Sequence, residues 1–423
     1  MSFVTGLECL KCGAKYQDER VFSGCPRCGT DSFLSTVTVF YDYDRLQDKV
    51  ARKSIGQGGR GIWRYSELLP VRQDNHRITL GEGSTPLLKC ASLGEALGLD
   101  NLYVKDESRN PTWSFKDRNC CCAISKGLEL NANVAVIASS GNHGASTAAY
   151  ASRAGMQSVV FVEGSTNDTF MTQIQAYGGL VVPVTTSEGR WALMERCVRE
   201  LGWYPTGSYT TPMPTGHPYG IEGCKTLGYE IVQDLRWNVP DKVVIPLGLG
   251  EGFYGTWKGF WEFKKLGLVD SVPSIVSVET EGGAPLANAL RKGLDYVEKV
   301  PRAPTVATSI ATNITSYQAM RAVRDSDGAA VTVTDEEILT AQRLLAAKEG
   351  LFAEPASAAA FAGVKKLREG GELERDESIV IVMTSSGLKD PAGSMKVPRE
   401  LSVIEPEWEN FRDFMNRTYH MSL

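Results

Sequence analysis

Short apolar runs alternate with amphipathic segments through the middle of this 423-residue chain. The spacing of the apolar positions predicts strands at 133–139, 158–163 and 180–184, with helices at 144–155, 169–179 and 188–202. Short apolar strands separated by helices of this length are typical of βαβ units, which build parallel sheets.

A stretch rich in Pro, Gly, Thr and Tyr interrupts the alternation at 204–220. The pattern then resumes and predicts further elements at 221–235, 242–248, 253–267, 274–280, 335–350, 357–371 and 378–385. Two such sets predict an α/β fold with two open αβα domains of three layers, each with a mostly parallel sheet. Ligands of open α/β sheets bind outside the carboxyl ends of the strands, so we expect the site in the crevice between the domains.

These patterns divide the chain into four parts. They are a small cysteine-rich module (1–35), a large domain (36–94 and 206–410), a small mobile domain (95–205) and a tail (411–423). The polar, glycine-rich passage at 54–70 has the composition of a linker or wrapping arm rather than of a core element.

The composition narrows the class of protein. Hydrophobic residues make up 42% of the chain and charged residues 22%, which is typical of a soluble globular enzyme. The formal net charge of -5 argues against nucleic acid as a partner, because binding to the phosphate backbone needs a basic excess. No run of about 18 apolar residues occurs that could span a membrane. Residues 1–13 lack the basic start and apolar core of a signal peptide, so we expect a cytoplasmic protein.

Four of the ten cysteines lie in two Cys-x-x-Cys-Gly turns, at 9–13 and 25–29. This doubled spacing is typical of a structural zinc site, because each turn can direct two thiolates at one tetrahedral ion. Disulfides or reduced thiols are the alternative interpretation. The three consecutive cysteines at 120–122 are interpreted as buried packing residues. The predicted ligands of a zinc-ribbon-like module are Cys9, Cys12, Cys25 and Cys28.

The stretch NPTWSFKDR, residues 110–118, joins a short apolar strand pattern to a cysteine-rich helix pattern. Lys116 falls in the first turn of that helix, where the helix dipole favours negative side chains. A lysine at this position therefore indicates a role other than helix stability.

Polar or glycine-rich loops follow three of the predicted strands. The loop SSGNHGAS, residues 139–146, can hold an anion on its backbone N–H groups, and Asn142 can reach a ligand oxygen. The loop LGLGEGFYG has the arrangement of a phosphate site without the motifs for ATP or NAD, and we expect Glu251 in it to point away from a bound phosphate. In VMTSSGLKDP, the hydroxyl of Thr384 stands at a strand end, where it can hydrogen-bond a ring nitrogen.

A pocket lysine, a phosphate loop, an asparagine and a strand-end hydroxyl together describe a pyridoxal 5'-phosphate site. The cofactor aldehyde is then held as a Schiff base on Lys116, and the freed amine later removes the α-proton of the substrate. The alternative is a surface lysine accompanied by three unrelated helix caps.

Seven motifs occur in the order and spacing of threonine synthases: GEGSTPLL, NPTWSFKDR, SSGNHGAS, EGCKTLGYEI, PLGLGEGF, EPASAA and TSSGLKDP. Over residues 80–395 the chain resembles these enzymes, which belong to the tryptophan-synthase-β-like group, fold type II, of pyridoxal-phosphate enzymes. Some threonine synthases also carry an amino-terminal zinc module. The pair SFKDR and GLKDP is specific to the threonine-synthase branch.

The resemblance implies a role for each matching residue. Lys116 is the catalytic lysine and cofactor anchor, Asn142 contacts the 3'-oxygen, and Thr384 is the partner of the pyridine nitrogen. The loop that receives the substrate carboxylate contains Ser139, Ser140 and His143. The cofactor phosphate loop consists of Gly248, Leu249, Gly250, Glu251 and Gly252.

Four positions depart from the threonine-synthase pattern. His143 stands where the family commonly has Thr, Phe170 lies near a usual Lys, and Gly220 and Ala311 occupy positions of Arg. A desolvated phosphate dianion needs cationic or dense N–H partners, so these changes bear on phosphohomoserine as a substrate. The S-G-N-H form is closer to that of dehydratases, although a neutral packing role for His143 is an equally valid interpretation.

The leading hypothesis is a biosynthetic lyase that converts O-phosphohomoserine and water into threonine and phosphate by elimination and β-addition. The alternative is a β-eliminating or β-replacing enzyme on another hydroxy or activated amino acid, similar to serine or threonine dehydratases or to cysteine or cysteate synthases. A third hypothesis is a non-catalytic relative, against which the intact SFKDR argues. The resemblance also implies a small amino-acid substrate and a homodimer.

Overall fold

The computed structural model describes residues 3–17, 19–394 and 402–422. Parts of the predicted amino-terminal module (1–35), large domain (206–410) and tail (411–423) therefore lie outside the described residues. Within these ranges, every helix is too short or too polar to cross a membrane.

Thirteen strands are formed by the described residues. They are β1 (Val4–Cys9), β2 (Lys15–Tyr16), β3 (Val37–Tyr41), β4 (Leu87–Lys89), β5 (Asn101–Asp106), β6 (Val134–Ala138), β7 (Gln157–Glu163), β8 (Leu180–Val184), β9 (Tyr204–Pro205), β10 (Lys242–Pro246), β11 (Ser274–Thr280), β12 (Ala329–Val333) and β13 (Ser378–Met383).

Fifteen α-helices are formed by the same part of the chain. They are α1 (Tyr43–Gln47), α2 (Ala91–Leu97), α3 (Lys116–Glu129), α4 (Asn142–Arg153), α5 (Asp168–Ala176), α6 (Ser187–Leu201), α7 (Pro218–Cys224), α8 (Thr226–Asp234), α9 (Glu251–Lys265), α10 (Pro285–Arg291), α11 (Tyr317–Asp325), α12 (Asp335–Glu349), α13 (Pro355–Glu369), α14 (Pro391–Ser394) and α15 (Trp408–Tyr419). Short 3-10 helices lie at Gly61–Leu68, Asp74–His76, Glu107–Arg109, Thr308–Ile310 and Gly387–Lys389.

The larger sheet has six strands in the order β12-β11-β10-β13-β5-β4. All neighbours are parallel except β4, which runs antiparallel to β5. Its central strands are apolar throughout because both faces are covered. In β13, Val380 and Val382 pack into the core shared with α8 and α9, whereas Ile379 and Ile381 pack into the core shared with α12 and α13. This three-layer arrangement agrees with the prediction.

The smaller sheet has four parallel strands in the order β8-β7-β6-β9. Strand β5 pairs with β13 in the larger sheet, so residues 101–106 do not join the smaller sheet although the predicted small domain began at residue 95. In the larger sheet β5 lies between β13 and the edge strand β4. The interrupted stretch at 204–220 contributes β9 to the smaller sheet and the start of α7.

The amino-terminal strands form a separate antiparallel sheet in the order β2-β1-β3. Because β3 pairs with β1, this sheet extends to Tyr41, beyond the predicted module boundary at residue 35. The interpretation of 54–70 as a linker was wrong for its second half, where Ile62, Trp63 and Tyr65 are buried in the core.

Candidate active site

Lys116 begins α3 and lies beside the segment that follows β13. The Phe115 amide donates to the Thr384 carbonyl at 2.9 Å, which joins the two segments. The Nζ atom of Lys116 lies 3.7 Å from Oε2 of Glu251 and 5.1 Å from the centre of the Phe115 ring. The structure therefore brings Lys116 next to two other predicted site residues, Glu251 and Thr384.

The two residues after Lys116 anchor its helix in the protein interior. The fully buried guanidinium of Arg118 donates to the carboxylates of Glu107 and Glu230, with N···O distances of 2.7, 2.8 and 2.9 Å. Asp117, also buried, accepts hydrogen bonds from the amide and hydroxyl of Thr112. Burial raises the pKa of Asp117 to about 6 although these hydrogen bonds favour its ionised form. Charged groups of the core thus set the position of Lys116.

Asn142 and the segment that follows β13 meet across the two sheets. Asn142 begins α4 after β6, and its Nδ2 donates to Oε2 of Glu354 at 2.8 Å. Its Oδ1 accepts from the hydroxyl of Ser385 at 3.2 Å, next in the chain to Thr384. The Thr384 hydroxyl lies 2.7 Å from that of Ser357. The carboxyl ends of β6 and β13 therefore face one crevice, as the sequence predicted.

The glycine loop after β10 excludes side chains at two positions. Gly250 has φ +96°, and a Cβ there would lie 2.8 Å from both Ser316 Oγ and Ala319 Cβ. A Cβ at Gly252 would lie 2.0 Å from the Phe115 ring. The buried Ser316 hydroxyl has no hydrogen-bond partner among the described residues. The loop is therefore a tight backbone turn with an unused polar group beside it.

The same loop is oriented for an anion. The carbonyl of Gly248 accepts from the Thr315 hydroxyl at 2.7 Å, and that of Leu249 accepts from the Ser316 amide at 3.2 Å. Helix α9 begins at Glu251, so the positive end of its dipole lies at the loop. Backbone N–H groups at such a helix start can hold a phosphate.

The Glu251 side chain turns toward Lys116. Its Oε1 accepts from the His217 amide at 2.9 Å, and its Oε2 lies 3.7 Å from Nδ1 of His143. Burial raises the pKa of Glu251, while the nearby Lys116 lowers it. Burial also holds the pKa of His143 well below its usual range, so this imidazole is neutral. Three titratable groups thus converge in a buried space.

The serines of the loop after β6 have separate partners. Ser139 Oγ accepts from the Gly141 amide at 3.4 Å. Ser140 Oγ accepts from the Glu163 amide at 2.8 Å and from the Arg190 guanidinium at 2.7 Å. Because both acceptor positions of the Ser140 hydroxyl are filled, its proton is left to donate to a ligand. Arg190 is buried, and its Nε has no partner in the described part of the chain.

One of the departing positions, Phe170, lies beside Lys389, a residue to which the sequence motifs assign no role. Lys389 is buried and donates to the Thr112 carbonyl at 2.7 Å. Burial lowers its pKa to about 8. The Phe170 ring centre lies 5.6 Å from the Lys389 Nζ, and its Cζ would lie 3.9 Å from a Cβ placed on Gly141. Phe170 therefore packs between the loop after β6 and this buried cation.

At the other two departures, Gly220 and Ala311, there is no basic side chain. A Cβ at Gly220 would lie 2.5 Å from the Asn119 side-chain oxygen, so a larger residue there would displace Asn119. Ala311 caps the short helix Thr308–Ile310. Glu354 and Arg190 also contact residues of the site, although no local sequence signal marks them. Glu354 lies in the EPASAA motif, whose resemblance alone could have drawn attention to it.

The four predicted zinc ligands converge. Their sulfur atoms all lie within 4.8 Å of one another, with 3.6 Å between those of Cys9 and Cys28 and 3.7 Å between those of Cys12 and Cys25. These separations are too long for disulfides and close to the edge of about 3.8 Å in a tetrahedral zinc–thiolate site. Burial opposes ionisation of the Cys25 thiol. Hydrogen bonds to this thiol, of which that with the Tyr16 hydroxyl has the largest effect, nevertheless lower the pKa of Cys25 to about 6.

Comparisons with known proteins agree with this geometry. The family described as pyridoxal-phosphate dependent enzyme matches residues 78–385. The threonine synthase of Methanocaldococcus jannaschii is 37% identical over 94% of this chain and 96% of its own length. That of Methanosarcina acetivorans is 36% identical over 96% of this chain and 98% of its own. The processed threonine deaminase isoform 2 of Solanum lycopersicum shares the fold, with a TM-score of 0.61 and 20% identity over 80% of this chain and 84% of that one.

Proposed function

Because this chain belongs to the family of pyridoxal-phosphate dependent enzymes, we propose that it is a carbon–oxygen lyase of the threonine-synthase type. Its proposed substrate is the small amino acid O-phosphohomoserine, which water converts to threonine and phosphate. The observation that carries this proposal is the position of Lys116, whose amine faces a crevice bounded by the glycine loop, Asn142 and Thr384.

The residues present fit the cofactor. The backbone of Gly248, Leu249, Gly250, Glu251 and Gly252 would hold its phosphate, and the unpartnered Ser316 hydroxyl offers a further donor. Asn142 would contact the 3'-oxygen, and the neutral hydroxyl of Thr384 would accompany the pyridine nitrogen without forcing it to be protonated.

Lys116 is the proposed catalytic base. Its Nζ takes the α-proton of the substrate. The hydrogen bonds of Arg118 and Asp117 hold the first turn of α3 rigidly and so fix the position of this amine. When bound, pyridoxal phosphate supplies an electron sink that stabilises the negative charge left on the α-carbon. The loop of Ser139, Ser140 and His143 would orient the substrate carboxylate at the start of α4.

Three other cationic side chains compensate for the basic residues that are absent at positions 170, 220 and 311. Arg190 donates to Ser140 in the loop, and Lys389 lies buried beside Phe170. Arg302 donates at 3.2 Å to the Glu163 carboxylate, which also contacts Arg190. A phosphate dianion held near Ser140 would gain charge-assisted hydrogen bonds from such groups.

A β-eliminating or β-replacing reaction is the second candidate. Phe170 favours it, because this buried ring occupies space beside the loop where a longer substrate would place its distal phosphate. The chemistry at Lys116 is then the same, but the leaving group is on the β-carbon, and the product is a keto acid or a β-substituted amino acid.

Further parts of the proposal concern the whole chain. A structural zinc ion bound by Cys9, Cys12, Cys25 and Cys28 is supported by the sulfur separations. We also propose a homodimer in the cytoplasm, without nucleic acid as a partner, in which the unit built on β6–β9 moves to close the crevice. The Arg302–Glu163 ion pair and the hydrogen bond from Asn167 to Asp390 at 3.0 Å support such closure, because both join that unit to the rest. Sedimentation and small-angle scattering with and without substrate test these points.

The test of the reaction compares two substrates. Purified protein with pyridoxal phosphate is incubated with O-phospho-L-homoserine in one reaction and with O-phospho-L-serine in another. The phosphoserine reaction is run without a nucleophile, with sulfide and with sulfite. Released phosphate and amino-acid products are quantified in each. Stoichiometric threonine and phosphate, abolished in Lys116→Ala and retained in the exposed control Lys292→Ala, is the expected result. Turnover of phosphoserine but not of phosphohomoserine would replace the leading candidate with the second. Cofactor binding without turnover of either substrate would exclude both.

A further inference from the structure

The carboxylate of Glu251 is the centre of a cluster of titratable side chains. Its Oε2 lies 3.7 Å from the Lys116 Nζ and 3.7 Å from the His143 Nδ1, and all three side chains belong to different helices. Such convergence of titratable groups in a crevice is typical of functional sites.

The carboxylate is held in place from behind. The His217 amide donates to Oε1, and Gly216 leaves room for the side chain, because a Cβ at Gly216 would lie 3.0 Å from the Cγ of Glu251. This leaves Oε2 as the atom that faces Lys116. A carboxylate in a loop that would hold a phosphate is unfavourable if it faces the anion, and here it faces a cation instead.

His143 completes the cluster in a defined tautomer. Its Nε2 lies 3.0 Å from the Thr206 carbonyl, which is only an acceptor, so Nε2 carries the proton. The unprotonated Nδ1 therefore faces Glu251. Because burial keeps this imidazole neutral, it adds no positive charge to the cluster.

We propose that Glu251 is the proton partner of Lys116, taking from the Lys116 Nζ the proton that this amine has removed from the substrate. In the transfer an N–H bond of the ammonium breaks and an O–H bond forms on Oε2, so a charged pair becomes a neutral amine and a neutral carboxylic acid. This restores the free amine for a further transfer. The proposal rests on the proposed function and adds to it a side-chain role for Glu251, beyond its backbone in the phosphate loop.

The surroundings of Glu251 are consistent with a proton on its carboxylate. Four titratable residues adjoin it: Lys116 and His143 lie 3.7 Å from Oε2, His217 donates its backbone amide to Oε1, and the buried thiol of Cys224 interacts with its charge. Burial lowers the pKa of His217 to about 3, so Lys116 supplies the one positive charge among these four groups. Burial raises the pKa of Glu251, which brings the proton affinity of its carboxylate nearer to that of an amine.

The test uses Glu251→Gln, which keeps an oxygen for the His217 amide but cannot accept a proton. Glu251→Asp is the conservative variant. The control Glu279→Gln removes another buried carboxylate, one that accepts the Leu286 and Ala287 amides away from Lys116. The rate of Lys116 acetylation, which reports the free amine, is measured by peptide mass spectrometry in the cofactor-free protein from pH 6 to 10. The pH profile of kcat is measured in the holoenzyme.

Loss of the carboxylate should move the two readouts in opposite directions. In Glu251→Gln the labelling midpoint of Lys116 falls by about one pH unit or more, so labelling at pH 7 is about tenfold faster, because an opposite charge close by no longer holds the ammonium. At the same time kcat falls at least about tenfold, as is usual for loss of a proton-transfer group. Glu251→Asp should keep part of the wild-type labelling midpoint and part of the wild-type kcat, and Glu279→Gln should change neither quantity.

An unchanged labelling midpoint in Glu251→Gln, or labelling and kcat that fall together, would overturn the proposal. If Glu251→Gln does not fold, the midpoint in Glu251→Asp decides, because a shortened carboxylate also weakens the pair. Failure of the proposed function is recognised separately, since wild-type protein would then turn over none of the amino acids while the labelling experiment still reports on Glu251.

Discussion

The side-chain amide of Asn142 donates a hydrogen bond to Oε2 of Glu354 at 2.8 Å, and this contact joins the start of α4 to the start of α13. Glu354 is buried, and its Oε1 also accepts from the Ser309 hydroxyl. A single carboxylate therefore orients the asparagine proposed to contact the cofactor from the opposite sheet.

Replacing Glu354 should weaken cofactor binding. In Glu354→Ala, Asn142 and Ser309 lose their acceptor, and we expect the Kd for pyridoxal phosphate to rise about tenfold or more, since a lost buried hydrogen bond costs about 1–3 kcal/mol. Titration of the cofactor-free protein, followed by absorbance, measures this. Glu369→Ala at the exposed end of the same helix is the control. Equal Kd values in the two variants would show that Glu354 does not position Asn142.

Arg118 is expected to be the most sensitive position in the first turn of α3. Arg118→Ala leaves the buried carboxylates of Glu107 and Glu230 without their cation, which should lower the free energy of unfolding by about 3–5 kcal/mol. Arg118→Lys keeps the charge but not the forked geometry, so a smaller loss is expected. Urea unfolding measures both, with the exposed Arg199→Ala as the control. A loss below about 1 kcal/mol in Arg118→Ala would contradict this account.

The elements predicted from sequence are those with a strong periodic or apolar signal. The runs KVVIPLG and SIVIVMTS became β10 and β13, because strands buried on both faces are apolar throughout. The edge strand β12 (AAVTV) was missed, since its half-buried residues carry little signal. The linker interpretation of 54–70 is wrong for its second half, because the composition is polar although Trp63 and Tyr65 insert into the core.

The residues of the site also differ in how strongly the sequence marks them. Lys116, Asn142 and Thr384 are predicted from sequence because each stands in a motif beside a strand or helix end. Arg190 and Glu354 are not, because each acts through a residue distant in sequence. The hydrogen bond of Arg190 to Ser140 spans 50 positions, and that of Asn142 to Glu354 spans 212. Only the packed fold brings such pairs together.

Removal of zinc should destabilise the protein and disturb the active site around Glu251. Phe22, from the amino-terminal module, stacks on the His217 ring at 5.2 Å, and the His217 amide holds Glu251. We expect one zinc per chain by atomic emission, and a fall in Tm of roughly 5 °C or more in Cys12→Ser or after chelation. Cys197→Ser, outside the cluster, is the control. Zinc-free protein with an unchanged Tm would favour reduced thiols.

Anion binding should weaken above about pH 8 if Lys389 contributes to it. Burial lowers the pKa of Lys389 to about 8, so the side chain is an ammonium below this pH and a neutral amine above it. Sulfate, whose charge is constant over this range, should inhibit competitively with an inhibition constant that rises up to about fivefold between pH 8 and 9. In Lys389→Met the inhibition should be weak at every pH. A wild-type constant independent of pH would exclude Lys389 from the anion site.

Phe170 should decide which substrate length the crevice accepts. Its ring lies over Gly141 and beside Lys389, where a longer substrate would carry its phosphate. In Phe170→Ala we expect the ratio of kcat/KM for phosphohomoserine to that for phosphoserine to rise at least about tenfold, since one methylene in a pocket is worth about 1–3 kcal/mol. The exposed Gln175→Ala on the same helix should leave the ratio unchanged. A ratio that falls would mean that the ring packs against the longer substrate, which would strengthen the threonine-synthase assignment over β-replacement.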